Sequence, residues 1–111
     1  MQKQYRICKN GQFQYVYRKG KAAGTGNLKL HYIRAGRLQA GFSVSKKVGN
    51  AVVRNRVKRR MRECFRLLIP QLKRGFYVFT ARSNAATCDY QQLFNDIHRV
   101  LKRLNCYKET V

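Results

Sequence analysis

One stretch decides the fold of this chain: Gly49-Asn50-Ala51-Val52-Val53-Arg54-Asn55-Arg56-Val57-Lys58-Arg59-Arg60-Met61-Arg62. Apolar residues recur through it and beyond it at steps of three and four, which predicts one buried stripe on a helix. The stripe comprises Val53, Val57, Met61, Cys64 and Leu68. Most of the remaining circumference is basic, so we expect a helix with one side in a core and the other facing a polyanion. The helix should run from about Asn50 to Ile69 and end at Pro70.

The charge of the whole chain supports this interpretation. Its 111 residues include 25 Lys and Arg but 4 Asp and Glu, a formal net charge of +21. A hydrophobic content of 44% is too high for a disordered basic tail, and the length suits a single domain, 1–111. No apolar run approaches the roughly 18–20 residues of a membrane span. The basic residues lie along the whole chain, which favours nucleic acid over an anionic membrane as the partner.

The four cysteines do not predict a metal site. Cys8, Cys64, Cys88 and Cys106 form no Cys-x-x-Cys pair, and no histidine lies at zinc-finger spacing from them. The chain also lacks a start typical of a secreted protein. We therefore expect all four to be reduced and structural, in a cytoplasmic protein.

The sequence before the basic helix predicts a helix and then strands. Asn10 is expected to cap a first helix that ends at Gly20. Residues 20–27 are small and at best form a short edge strand. Alternating runs at 28–33 and 38–45 then predict a hairpin with one apolar and one polar face.

Two elements are expected after the basic helix. Residues 75–81 are nearly all apolar and predict a central strand. Asp89 should cap a last helix, with Gln92 three residues further on. The pattern is that of an α+β protein with helices packed on one small sheet.

No catalytic constellation is visible in the sequence. The acids Glu63, Asp89, Asp96 and Glu109 lack the spacing of a metal-binding cluster, and His31 and His98 lie on different predicted elements. Gly24-Thr25-Gly26 lacks the Lys-Ser/Thr of a phosphate-binding loop. No catalytic residue is expected in this chain.

Three features together resemble a known family. They are Ser43 to Arg59, which contains the Arg54-Asn55-Arg56 motif, the early run Phe13-Gln14-Tyr15-Val16-Tyr17, and the late run Tyr77 to Arg82. Taken along the chain, these runs follow the order found in the protein subunit of bacterial ribonuclease P, which the sequence closely resembles. The resemblance implies a sheet of about four strands with three helices, in the order α-β-β-β-α-β-α. It also implies a left-handed crossover carrying the basic helix, against the usual rule.

The resemblance further implies a function. Such a protein joins a catalytic RNA and helps it remove the 5′ leader from precursor tRNA. The RNA performs the hydrolysis with its Mg²⁺, and no cofactor is expected on protein side chains alone. The residues expected to bind the catalytic RNA are Lys46, Lys47, Arg54, Asn55, Arg56, Lys58, Arg59, Arg60 and Arg62. The residues expected to bind the leader are Phe13, Tyr17, Lys29, His31, Ser43 and Ser45.

Several alternatives stay open at this point. Phe13 and Tyr17 share a helix face with Val16, so periodicity alone favours core packing over a cleft, and a leader contact by His31 is undecided. The basic helix could be a solvated charged face. A ribosomal RNA-binding protein or assembly factor would also be small and basic. A DNA-binding module would place the helix in a major groove, which requires a few base-reading side chains rather than charge over much of the surface.

Overall fold

The computed structural model describes residues 5–109, which contain three α-helices and one four-stranded sheet. The elements are α1 (Asn10–Lys19), β1 (Lys21–Gly24), β2 (Leu28–Arg34), β3 (Gln39–Val44), α2 (Ala51–Leu68), β4 (Gly75–Ala81) and α3 (Tyr90–Arg103). Short 3-10 turns occupy Lys46–Val48, Ile69–Gln71 and Ser83–Ala86. The α+β class and the order α-β-β-β-α-β-α are confirmed, and β1 is the short edge strand.

The pairing of the strands differs from the hairpin expected between the two alternating runs. The spatial order is β1-β2-β4-β3, so β4 separates β2 from β3. It pairs antiparallel with β2 and parallel with β3, with Val78 opposite both His31 and Gly41. The hairpin prediction was wrong because alternation specifies which face a side chain occupies but not which strand lies alongside. The central position expected for residues 75–81 is confirmed.

The crossover from β3 through α2 to β4 is left-handed. Ile7 donates its N–H to the carbonyl of Ala40 at 2.9 Å, so residues before α1 lie beside β3, on the side away from β4. Ala40 belongs to the core that α2 covers. When a strand of L-residues runs upward and a side chain points at the viewer, that residue's N–H and C=O point right. Viewed from the side of α2 with β3 running upward, the residues before α1 lie to the right of β3 and β4 lies to its left. A right-handed crossover would place β4 to the right, so this connection has the uncommon hand.

Side-chain caps fix the starts of two helices. The side chain of Asn50 accepts a hydrogen bond from the Val53 N–H at 3.0 Å, and that of Asp89 accepts one from the Gln92 N–H at 2.7 Å. Both caps confirm the sequence prediction. The cap predicted for α1 was wrong, because Lys9 occupies the N-cap position without a side-chain hydrogen bond.

Helices cover the two faces of the sheet unequally. On one face, α2 and α3 enclose the main core, where Phe65 adds a fully buried ring that the predicted stripe of α2 did not include. On the other face lies α1, whose Val16 is buried against Val78 and Ile7. Ten residues of helix cannot cover that whole face, and a cleft remains between α1 and β3.

The cysteines are free thiols with different environments. Cys64, Cys88 and Cys106 are buried, as expected for structural residues, but Cys8 is exposed, so the structural role expected for it was wrong. Burial raises the pKa of the Cys106 thiol to about 12, and it also raises the pKa of Cys64 and Cys88. The buried thiols are therefore protonated at neutral pH and are poor metal ligands or nucleophiles.

Candidate nucleic-acid interface

The first part of the site is the polar surface of α2. The helix buries Val57, Met61, Cys64, Phe65 and Leu68, which holds its rotation about its axis fixed against the core. Asn55 and Arg59 are exposed on the opposite side. The remaining basic residues expected to bind RNA are half-buried along the flanks of the helix: Arg54, Arg56, Lys58, Arg60 and Arg62.

The charge on this helix is not neutralised within the protein. Across residues 5–109, no Lys or Arg side chain forms an ion pair with a carboxylate. Arg56 has a structural contact, since its Nη2 donates to the carbonyl of Ala86 at 3.3 Å and ties the turn after β4 to α2. The Nε atoms of Arg54 and Arg56 are buried without an acceptor. Two members of the Arg-Asn-Arg motif are thus held close to the protein surface, while Asn55 between them projects into solvent.

The connection between β3 and α2 extends this basic surface. Lys46 and Lys47 are both exposed in a 3-10 turn directly before the helix. Ser45, which was expected to contact the leader, is also exposed, and its carbonyl accepts the Val48 N–H at 3.1 Å. The structure therefore places Ser45 with these lysines at the start of the basic helix rather than on the open sheet face.

The second part of the site is a cleft of about 370 Å³ between α1 and β3. One side of α1 supplies side chains at helical spacing, and the strand and α2 supply the rest. The lining residues are Asn10, Phe13, Gln14, Tyr17, Phe42, Ser43, Val44 and Lys58. Lys58 is the residue through which the basic helix reaches the cleft, so both parts of the site are continuous.

The two aromatic residues of α1 both pack and line the cleft. The rings of Phe13 and Tyr17 are half-buried against Val16 and Val78. Phe13 lies over the backbone of Gly41, and the Tyr17 hydroxyl is 3.3 Å from the hydroxyl of Thr80. Core packing and a cleft position are therefore not exclusive alternatives, because each ring is anchored along one side and open on another.

His31 joins the cleft indirectly. Its ring packs edge-on against Tyr17, with ring centroids 4.9 Å apart. Burial and then the neighbouring charge of Lys29 lower the pKa of His31, so the imidazole is neutral at pH 7. Neither His31 nor Lys29 lines the cleft, because β4 lies between their strand and β3.

The structure thus divides the residues predicted to bind the leader. It brings Phe13, Tyr17 and Ser43 together, and it adds Lys58, which the sequence placed in the other set. Sequence reasoning missed Asn10 and Gln14, although their spacing from Phe13 and Tyr17 puts all four on one side of a helix. It also missed Phe42 and Val44, since residues of the apolar face were not expected at a cleft margin.

The titratable residues give no second kind of site. Within the described part of the chain, no group of three His, Cys, Asp or Glu side chains is placed to hold a metal ion. Asp96 is buried and accepts a hydrogen bond from the Asn27 side chain, while Asp89 caps α3. In the same residues, no helix is long and apolar enough to cross a membrane.

Fold and site together define a small basic α+β protein with an aromatic cleft beside a cationic helix, which is typical of the class of RNA-binding proteins. A family model described as Ribonuclease P matches residues 1–105, and the chain belongs to that family. This confirms the resemblance carried by the Arg54-Asn55-Arg56 region.

Individual relatives are similar to this chain along nearly their whole length. The ribonuclease P protein component of an Exiguobacterium species is 38% identical, over 98% of this chain and 97% of its own. That of Caldanaerobacter subterraneus subsp. tengcongensis is 42% identical, over 94% of this chain and 92% of its own. The structure of the Staphylococcus aureus RNase P protein superposes with a TM-score of 0.87 at 33% identity, covering 94% of this chain and 98% of its own.

Proposed function

We propose that this chain is the protein subunit of ribonuclease P. It binds the catalytic RNA and the 5′ leader of precursor tRNA, and it assists endonucleolytic removal of the leader. We assign bond cleavage and the Mg²⁺ ions to the RNA subunit, and residues 5–109 of the protein contain no group of His, Cys, Asp or Glu placed to hold a metal ion. The chain acts as one RNA-binding domain, 1–111, in the cytoplasm, without a membrane or small-molecule partner.

The observation that carries this proposal is the continuity of the cleft with the basic helix through Lys58. A single strand is held by rings on which bases stack, beside a positive groove that follows the phosphates. The cleft offers Phe13 and Tyr17 for stacking and Ser43 for a hydrogen bond, with a lysine at its margin. A duplex is too wide to enter a cleft of about 370 Å³, whereas an unpaired base is small enough to reach the rings that line it.

The outer surface of α2 suits the structured RNA. Asn55 and Arg59 are exposed, and the flanking arginines present guanidinium groups that no carboxylate neutralises among residues 5–109. Arginine forks match phosphate oxygens in two parallel hydrogen bonds. Lys46 and Lys47 extend the same surface toward the end of β3. One RNA can therefore contact the helix while the leader of a second RNA occupies the adjoining cleft.

Reconstitution with the cognate catalytic RNA tests the proposal. The protein alone should not cleave precursor tRNA, and with the RNA it should raise cleavage efficiency at low magnesium. The holoenzyme should bind precursor tRNA that carries a leader of several nucleotides more tightly than it binds mature tRNA. Specific cleavage by RNA-free protein, sensitive to EDTA, would overturn the assignment of chemistry to the RNA.

A ribosomal RNA-binding or assembly role would give another pattern. Such a protein would bind ribosomal RNA fragments at least as well as the catalytic RNA and leave precursor tRNA cleavage unchanged. Membership of the Ribonuclease P family does not favour that alternative.

A further inference from the structure

A second concave surface lies at the opposite end of the sheet from the cleft. It encloses about 1000 Å³ where the end of α1, the end of β2, the start of β4 and the residues after α3 meet. Its basic residues are Lys19, Lys21, Arg34, Lys73, Arg74 and Lys108. We call it the distal groove. Glu109 also lines it, so six positive charges face one negative charge there.

The distal groove is separated from the site already described. Ser43 of the cleft pairs in register with Thr80, near the end of β4, whereas Arg74 of the distal groove directly precedes the first residue of that strand. A strand rises about 3.3 Å per residue, which places the two regions on the order of 20 Å apart along β4. They approach each other more closely at the end of α1, where Tyr17 lines the cleft and Lys19 lines the distal groove. None of the residues that line the cleft also lines the distal groove.

Buried tyrosines hold the floor of the distal groove in place. The Tyr32 hydroxyl donates to the carbonyl of Arg74 at 2.9 Å, and the Tyr77 hydroxyl donates to the carbonyl of Lys73 at 2.7 Å. Gly75 leaves the space that the Tyr32 ring fills, because a Cβ atom at position 75 would collide with that ring. The backbone that carries Lys73 and Arg74 is thereby fixed by hydrogen bonds from the core.

The residues after α3 are attached to the same floor. Lys73 donates its N–H to the carbonyl of Cys106 at 2.7 Å, and Lys108 donates its N–H to the carbonyl of Gln71 at 2.8 Å. Leu72 and Tyr107 form an antiparallel bridge between these segments. The backbone of basic residues from segments distant in sequence is thus held around one concavity before any ligand binds, which lowers the entropic cost of binding.

We propose that the distal groove is a second RNA-binding site that holds a phosphodiester backbone. Close cations repel one another, and within residues 5–109 no ion pair relieves that repulsion. A polyanion relieves it and releases its own counterions on binding. The groove has no exposed ring for base stacking, since Tyr32 is only 8% exposed, so recognition is of charge and not of sequence.

The proposal rests on the proposed function, because the RNA is either the catalytic RNA or a distal part of the precursor. The test uses two pairs of exposed residues from different walls, Arg34→Gln with Arg74→Gln, and Lys19→Gln with Lys21→Gln. The control, Arg99→Gln with Lys102→Gln, removes the same charge from the exposed side of α3. Affinity is measured against salt concentration, first for the catalytic RNA and then, in the holoenzyme, for precursors with short and long leaders.

Each groove pair should lower the slope of log affinity against log salt by about 1.5, on the basis of roughly 0.7–0.9 per phosphate contact. The control should keep the parent slope. A change with the catalytic RNA alone identifies that RNA as the ligand, whereas a change confined to long leaders identifies the precursor. Melting temperatures show whether each variant is folded. Because the two groove pairs lie on different walls, the test still applies if one of them does not fold.

Two outcomes are unfavourable and distinguishable. If the unaltered protein binds and stimulates the catalytic RNA but both groove pairs behave like the control with every RNA, the distal groove is not an RNA site. If the unaltered protein neither binds nor stimulates that RNA, the proposed function fails and the distal groove proposal fails with it.

Discussion

The ring of Phe13 lies so close to the backbone of Gly41 that a Cβ atom at position 41 would come within 2.5 Å of two ring carbons. The absence of a side chain on β3 therefore sets how deeply α1 sits on the sheet. It also sets the width of the cleft, because Phe13 forms one wall and Ser43, two residues beyond Gly41, forms the other.

Gly41→Ala should displace the Phe13 ring. We expect a loss of about 1–3 kcal/mol in the free energy of unfolding, as for other overpacked sites. Affinity for leader-bearing precursor should fall more than affinity for mature tRNA. Denaturant melts of Gly41→Ala, Phe13→Ala and the double variant measure the coupling. If Gly41→Ala lowers the free energy of unfolding as much in the Phe13→Ala background as in the parent, contact between the two residues does not set the width of the cleft.

The two variants Tyr17→Phe and Tyr17→Ala separate stacking from hydrogen bonding. Tyr17→Phe loses the bond to Thr80 and should cost about 0.5–1.5 kcal/mol of stability. It should leave leader affinity unchanged, since stacking uses the ring. Tyr17→Ala should weaken binding of leader-bearing precursor by roughly 1–3 kcal/mol and spare mature tRNA. Equal losses for both substrates would instead indicate a role in packing only.

On the basic helix, Arg59 and Arg56 should behave differently. Arg59→Gln should lower the salt slope for catalytic RNA by somewhat under 1, at constant melting temperature, because Arg59 is exposed. Arg56→Gln should lower both the salt slope and the melting temperature, because it also removes the hydrogen bond from Arg56 to the carbonyl of Ala86. Fluorescence titrations over a range of salt and thermal melts test this. A parent-like slope for Arg59→Gln would remove the outer surface of α2 from the RNA interface.

The stability of the free protein should depend on pH through His31. Its pKa is lowered in the fold, so the unfolded chain binds more protons below the ordinary histidine pKa of about 6.5. The free energy of unfolding should therefore fall as pH drops through that value toward the lowered pKa. His31→Gln should reduce the slope between pH 7 and 5, whereas His98→Gln, which removes the other histidine, should retain the part due to His31. Identical slopes for parent and His31→Gln would contradict this account.

Local patterns predicted much of this fold and less of its site. The stripe of α2, the caps at Asn50 and Asp89 and the central position of β4 follow from residues near one another in sequence. The false hairpin arose because β4, which pairs with both runs, comes after α2 in the chain. The position of Lys58 within the helical pattern of α2 could not reveal that this residue faces the cleft. Its orientation depends on how α1 and α2 pack on opposite faces of the sheet.

The long basic connection between β3 and β4 also has a consequence for folding kinetics. β3 cannot pair with β4 until the whole of α2, the segment with the densest positive charge, has been brought back along the sheet. Closing that loop forces like charges together before the parallel pair compensates, so the barrier to folding contains an electrostatic part. Multivalent anions should therefore accelerate refolding as well as slow unfolding.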